Sequence, residues 1–392
     1  MRALIALLVA CLAVVEANTW TMQSSTESTV LVGIARGGVN GANALAPAAQ
    51  NGVGAVLFNY DGTAWTRQSG SNAQISSGLL MSAGLSPDNS LKVVSSMLPV
   101  FVSDNSETYT TVPGVGGTIQ SSSIFNTNSI GVVGSLIVGK KSINGVAFST
   151  DRGTTWSSSP VPSGYTRYAS FVDGNNWLVS AGIWGNDTVS DSTLVHIEAK
   201  EEWSLGRHLR AGRKGGKGKK PTSSGGEGET NSNGWLASVS KTTDGGQTWT
   251  EVLRGPEGST YYFNAISCSG QTCLVVGEGD GADGGYLSVG FTSVDGGNTW
   301  SQTWNSADLY SLMSAAMTSP TQGWLAGVTH SVKDGMVGQF YTTNDSGTTW
   351  TLAQSLPNCY PTSISFSSGQ GAAACISSSG STAQAALYNA SN

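Results

Sequence analysis

Short runs of mixed apolar and small polar residues, broken by glycine-rich turns, recur along the whole chain. Tyr168-Ala-Ser-Phe171, Trp177-Leu-Val-Ser180 and Trp235–Ser240 are of this kind. Runs of this length bounded by Gly, Ser, Asn and Asp predict strands. The turns themselves repeat. Ser149–Trp156 reads STDRGTTW, Thr242–Trp249 reads TTDGGQTW, Ser293–Trp300 reads SVDGGNTW and Thr343–Trp350 reads TNDSGTTW. Each residue type has a mechanical task. Asp151, Asp244, Asp295 and Asp345 can accept hydrogen bonds from the backbone N–H groups of their own turn. The following glycines permit the backbone sign change. The threonine returns the chain to extended structure, and Trp156, Trp249, Trp300 or Trp350 opens the next strand as an apolar plug. These aspartates are therefore expected to be structural, because a carboxylate consumed by its own turn is a poor catalyst.

Degenerate copies extend the repeat. Asp61-Gly-Thr-Ala-Trp65 is one residue short, Asp104 to Tyr109 ends in tyrosine, and Asn18-Thr-Trp20 is the tail of a copy without its head. The closing aromatics Trp20, Trp65, Tyr109, Trp156, Trp249, Trp300 and Trp350 are spaced by 45, 44, 47, 93, 51 and 50 residues, with 42 after the last. That is the period of a four-stranded propeller blade. The expected fold is all-β: a seven-bladed β-propeller of four-stranded antiparallel blades. The long gap holds one blade plus an insertion. Tyr360–Asn389 lacks a closing turn and is completed by the N-terminal strand, which removes the ring's open edge. Alternation of strands puts the repeated turns, and the Cys268–Cys273 hairpin, at one end. The insertion lies at the other end, the loop-bearing mouth where such rings usually take ligands.

Composition agrees with this picture and adds a compartment. Of 392 residues, 52 are glycine and only 11% are charged, which suits many short strands and turns. Arg2, the apolar run Ala3–Val15 and Val15-Glu-Ala17 form a secretory signal, so residues 1–17 are expected to be removed and 18–392 to be the propeller. The expected location is extracellular, or the lumen of the secretory route, as a monomer with no membrane span. Cys11 leaves with the signal. The remaining Cys268, Cys273, Cys359 and Cys375 are expected to form two hairpin disulfides, Cys268–Cys273 and Cys359–Cys375. Asn186, Asn344 and Asn389 head glycosylation sequons. His196, His208 and His330 show no ligand spacing, so no metal or cofactor is expected.

The insertion carries the chain's most unusual chemistry. Arg207–Lys220, RHLRAGRKGGKGKK, holds Arg207, Arg210, Arg213, Lys214, Lys217, Lys219 and Lys220. Without these seven the protein has 12 basic against 25 acidic residues, a formal charge of −13. Residues from about 204 to 232 thus read as a disordered basic tether on an acidic body. It is either a solvated loop or an arm binding a glycan, an anionic polymer or a protein partner. Nucleic acid is not an expected partner of an exported chain. Arg207-His-Leu-Arg210 also fits an R-x-x-R processing pattern.

The four strong repeats resemble the BNR/Asp-box propellers. The stretch Gly323-Trp-Leu-Ala-Gly327 followed by Tyr341–Trp350 resembles single-ring members related to the photosystem II assembly factor, and is similar to sortilin-type and xyloglucan-hydrolase rings. The resemblance covers nearly the whole mature chain and implies fold more than activity. Sialidases of this superfamily need an arginine triad. Arg152 lies in a box, at the wrong end, Arg207, Arg210 and Arg213 lie in the insertion, and the sialidase segment F/Y-R-I-P is missing. Xyloglucan hydrolases place paired aspartates between two rings, and this chain makes one. The leading expectation is a non-catalytic binding or scaffolding module. The alternative is an extracellular glycoside hydrolase or lyase. Its candidate carboxylates at the mouth are Glu257, Asp280, Asp283, Asp308 and Asp334, which would need a separation of roughly 5 to 10 Å. Tyr261, Tyr262, Trp304 and Tyr310 are mouth aromatics suited to sugar stacking or to packing between blades.

Overall fold

The computed structural model describes residues 20–27, 29–50, 54–68, 75, 80–97, 99–104, 108–184, 235–255, 261–280, 286–331, 335–379 and 382–390. The proposed signal, all of the basic insertion at about 204–232 and Asn186 lie outside them.

Strands dominate, as the repeat predicts. β1 (Thr21–Glu27) is followed by β2 (Thr29–Leu31), β3 (Ala35–Gly37), β4 (Asn43–Gln50), β5 (Gly54–Tyr60) and β6 (Trp65–Arg67). β7 (Leu80–Leu85), β8 (Lys92–Ser96), β9 (Pro99–Ser103), β10 (Thr110–Ile124), β11 (Ile130–Val138), β12 (Lys141–Ser149) and β13 (Ser157–Pro160) come next. Three further antiparallel sheets then follow in simple chain order. They are β14 (Tyr165–Phe171) to β17 (Thr250–Arg254), through β15 (Trp177–Trp184) and β16 (Trp235–Thr242); β18 (Tyr261–Ser269) to β21 (Ser301–Ser306), through β19 (Thr272–Asp280) and β20 (Tyr286–Ser293); and β22 (Ser311–Met317) to β25 (Thr351–Pro357), through β23 (Gly323–Ser331) and β24 (Gly335–Thr343). The last strands, β26 (Tyr360–Ser367), β27 (Gln370–Ser379) and β28 (Thr382–Ala390), are joined by β1 in the order β1-β28-β27-β26.

The N-terminal segment therefore completes the C-terminal sheet, as the missing turn in that unit implied. Trp20 drives the join. Its ring is buried against Trp324, Phe340 and Phe366, with centroids 5.7, 5.0 and 5.7 Å away. The Gln354 side chain pairs with both backbone groups of Trp20, accepting from its N–H at 2.6 Å and donating to its carbonyl at 3.1 Å.

One feature of the sheets departs from the repeat. The spacing predicts separate four-stranded units, yet β7 to β13 form one seven-stranded sheet. The cause is β10, which pairs with β9 at Thr110 and Thr111 and with β11 from Val115 onward. Gly116 meets both Pro99 of β9 and Ile137 of β11, and on either side of it Gly114, before the β11 pairing, and Gly117, within it, have φ of 77° and 109°, a left-handed backbone open to glycine but not to most residues. The chain bends there and changes partner without a break in the strand.

Successive sheets are held face to face by apolar clusters and by a repeated hydrogen bond. A serine on the first strand of one sheet accepts the backbone N–H of the first strand of the next. The pairs are Ser170 with Cys268, Ser267 with Met317 and Ser314 with Ile364, each at 3.0 Å. Ser365 with Arg36, at 2.9 Å, makes the same bond between the last sheet and the first. Leu31, Ala44, Ala46 and Ala48 also share a core with Ala372, Ala374 and Leu387, so the two ends of the chain are packed together.

Both expected cysteine pairs are disulfides. Cys268 and Cys273 face each other across the β18–β19 hairpin, and Cys359 links to Cys375 of β27. Trp177 and Trp324 are core residues, 1% and 5% exposed. The tryptophans of the repeated turns differ from the expectation of an apolar plug: they are half-buried, and the indole N–H groups of Trp156, Trp300 and Trp350 donate to the glycine carbonyl of their own turn at 3.0–3.2 Å.

Candidate functional site

The two ends of the sheets have different chemistry. At one end all four repeated turns connect the last two strands of their sheets, and their hydrogen bonds coincide. In the first, the Asp151 carboxylate accepts the Ser149 hydroxyl at 2.7 Å, the Thr155 N–H at 2.8 Å and the Thr155 hydroxyl at 2.6 Å. Asp244, Asp295 and Asp345 bind their own turns the same way. The short copy is stapled too, Asp61 accepting from the Thr63 and Ala64 N–H groups at 2.8 and 3.0 Å. Bonds from the second threonine's hydroxyl and N–H, then from the leading Ser or Thr hydroxyl, hold the Asp151, Asp244 and Asp345 carboxyls at about 2. Asp295 is held lower for the same reasons. The leading and second hydroxyls are structural partners that the sequence pattern did not by itself assign.

A second staple ties each turn to the neighbouring hairpin turn at the same end of its own sheet. The residue after the aspartate, Arg152, Gly245, Gly296 or Ser346, has φ of 59–72°. Its N–H donates to the carbonyl of Asn128, Asn175, Gln271 or Thr321 at 2.8–3.0 Å. Arg152 adds side-chain bonds to Thr127 and Ser90, so its guanidinium is spent on the scaffold. Asn344, in the last turn, is exposed, whereas Asn389 lies within β28 with Nδ2 buried and its Oδ1 accepting from Arg36 at 3.1 Å. A glycan on Asn389 has no room in this packing.

At the opposite end the sequence candidates divide. Asp308, in the β21–β22 link, is exposed. Its N–H donates to Ser306 Oγ at 3.1 Å and its carbonyl accepts the Thr329 hydroxyl at 2.8 Å, which fixes the loop. Asp280 ends β19 with its side chain outside the described residues, as are Glu257, Asp283, Asp334 and the seven basic residues Arg207 to Lys220. Tyr261 is buried near Phe291. Trp304 packs edge-on to Tyr341 at 4.8 Å and donates to Ser288 Oγ at 2.8 Å, so it serves packing between sheets. Tyr310 is 37% exposed.

What sequence reasoning missed lies on the first strands themselves. Their pairing with the second strand slips by one residue at Met81, Gln120, Arg167, Asn264, Met313 and Thr362. A bulge of this kind re-aims the side chain it adds. Four of these positions gather a cluster with their neighbours. The Arg167 guanidinium carbon sits 5.8 Å from the Tyr168 ring centre and 5.4 Å from that of Tyr262. Tyr262 pairs across the sheet with Glu278. Burial first, then the charge of Glu278 and Tyr168, push the Tyr360 hydroxyl's pKa well above that of a free tyrosine. The Tyr360 hydroxyl, Ser311 Oγ and Asn264 Nδ2 converge on Met313 Sδ at 3.2, 3.2 and 3.9 Å. The cluster thus draws on β14, β18, β19, β22 and β26, towards the end opposite the repeated turns.

Among the described residues no group of three or more His, Cys, Asp or Glu side chains could hold a metal ion, and no helix is long and apolar enough to cross a membrane. No family model and no curated protein matches the chain. Solved structures do. "YCF48 bound to D1 peptide" is similar over 96% of this chain and 96% of that one, with TM-score 0.54 and 12% identity. The β-propeller domain of Cps50 (Swd1) from Myceliophteria thermophila is similar over 94% and 99%, with TM-score 0.51 and 9% identity. The GH74 xyloglucanase from Xanthomonas campestris is matched over 92% of this chain but only 53% of its own length, with TM-score 0.50 and 11% identity. At such identities these likenesses speak to fold alone, and the fold they share with this chain is the β-propeller.

Proposed function

We propose that the chain is a seven-bladed ring of the BNR/Asp-box type, acting as an exported, non-catalytic binding or scaffolding module. Its ligand, a glycan or an anionic polymer, docks on the end opposite the repeated turns. The count of seven follows if β10 serves as the outer strand of one blade and the inner strand of the next. The observation that carries the binding reading is the cluster of Arg167, Tyr168 and Tyr262 on the first strands. Tyrosine rings and an arginine suit stacking and hydrogen bonding to a ligand more than proton transfer. The basic segment Arg207–Lys220, inserted between β15 and β16 at the same end, would add electrostatic capture.

A second reading, glycoside hydrolysis, is favoured by Glu278 and Asp308 belonging to that same end. One experiment separates the two: a glycan and polyanion binding screen on the purified protein, with and without residues 204–232, alongside a hydrolysis assay on each glycan bound. Binding without turnover supports the module. Turnover abolished by Glu278→Gln or Asp308→Asn would replace it with the enzyme.

A further inference from the structure

We propose that Arg167 recognises the carboxylate of an acidic sugar, so that the ligand of this ring is a uronate-containing glycan. This rests on the reading of that end as the binding end. Three other described arginines, Arg36, Arg152 and Arg254, are committed to partners within the chain. Arg36 is buried and donates to the carbonyls of Gly41 and Gly371 and to Asn389. Arg152 is bonded to Ser90 and Thr127, and Arg254 forms a two-pronged pair with Glu251 at 2.6 and 2.7 Å. Arg67 is an exposed residue of the outer strand β6. Arg167 is half-buried on an inner strand, and among the described residues its contacts are the two tyrosine rings.

Ring contact draws on the guanidinium's charge and leaves its five N–H donors to be satisfied by solvent or ligand. Two flanking rings also hold the planar group in place before any ligand arrives. A positioned fork of this kind matches a carboxylate, which it binds through two parallel hydrogen bonds. The surroundings narrow the ligand further. Glu278, opposite Tyr262 in the sheet register, makes the site hostile to densely charged sulfated or phosphorylated chains. Its Oε2 is buried, so it acts on a ligand through its charge. One isolated cation beside an acid and tyrosines fits a sugar with a single carboxylate.

The test is calorimetric titration of the full mature protein with oligogalacturonate, oligoglucuronate and alginate fragments. Each is repeated after its carboxyls are reduced to neutral alcohols. Arg167→Met and Arg167→Lys are titrated in parallel, with circular dichroism and melting to confirm the fold. The expected result is binding of at least one uronate, weakened about tenfold or more by carboxyl reduction and by Arg167→Met. Arg167→Lys, which keeps charge but loses the fork, should recover only part of that loss. Equal affinity for reduced and native sugars, or full affinity in a folded Arg167→Met protein, overturns the proposal. Binding of neutral glycans alone overturns it while leaving the binding module standing. Absence of any ligand at this end overturns both.

Discussion

Lys92 offers a quantitative check on the packing. It lies on β8, is 2% exposed, and its Nζ donates to Asn59 Oδ1 at 3.1 Å. Desolvation lowers its pKa from 10.5 to about 8. At 1.36 kcal/mol per unit, the buried ammonium is disfavoured by about 3 kcal/mol relative to its state in the unfolded chain. Lys92→Met removes that penalty and leaves Asn59 Oδ1 without this donor, which costs about 1 kcal/mol. The net expectation is a gain of about 1–2 kcal/mol at pH 7. The sign of the pH dependence is fixed by proton uptake. Between about pH 8 and 10.5 the unfolded chain holds the Lys92 proton and the folded one releases it. Wild-type stability therefore rises through that window, and falls back as pH drops through 8. Urea unfolding of both proteins at pH 7, 9 and 10, with disulfides intact, gives the difference directly. The advantage of Lys92→Met should shrink as pH rises and reverse near the top of the window, where only the lost bond to Asn59 remains. A difference that stays flat with pH, or a variant less stable than wild type at pH 7, would refute the reasoning by showing that the ammonium is well solvated or paired.

Other outcomes follow from the same structure. Trp20→Ala, which empties the pocket among Trp324, Phe340 and Phe366, should cost about 3–5 kcal/mol in urea unfolding. It should also release β1 to protease. Replacing Cys359 and Cys375 together by alanine opens a link between residues 16 apart and should cost about 3 kcal/mol in the same assay. The turn aspartates have lowered pKa values, so the stability they add is present above the ordinary carboxylate range and is lost as pH falls through about 2. Asp151→Asn and Asp345→Asn should flatten the acid limb of the melting-temperature profile between pH 4 and 2, and an unchanged limb would mean that these carboxylates are not protonated in that range.

The repeated turns were legible because their chemistry is local. Asp295 reaches Thr299 and Ser293, Gly297 provides the positive φ, and all of them lie within one eight-residue motif. The same holds for the Cys268–Cys273 hairpin. The completion of the last sheet by β1 was also readable, from a unit with strands but no turn and a turn tail with no strands. By contrast, the bend in β10 was not. Glycines at 114 and 117 permit it, but whether a strand bends to serve two partners depends on where both neighbours lie.

Binary pattern, turn chemistry and period thus determined the class of fold, the end that bears the aspartates and the pairing of the cysteines. Each depends on interactions between residues close in sequence or on a count along it. Only the tertiary structure decided which side chains meet at the other end. Arg167 meets Tyr262 of the next sheet, and Met313 meets Tyr360 of the next, with Arg167 and Met313 at positions where the first strand slips its register by one residue. It likewise decided that Lys92 is buried and that Trp304, a plausible sugar platform in sequence, is packing between sheets. Register slips and burial are set by the fit of whole sheets against one another, so no local pattern carries them.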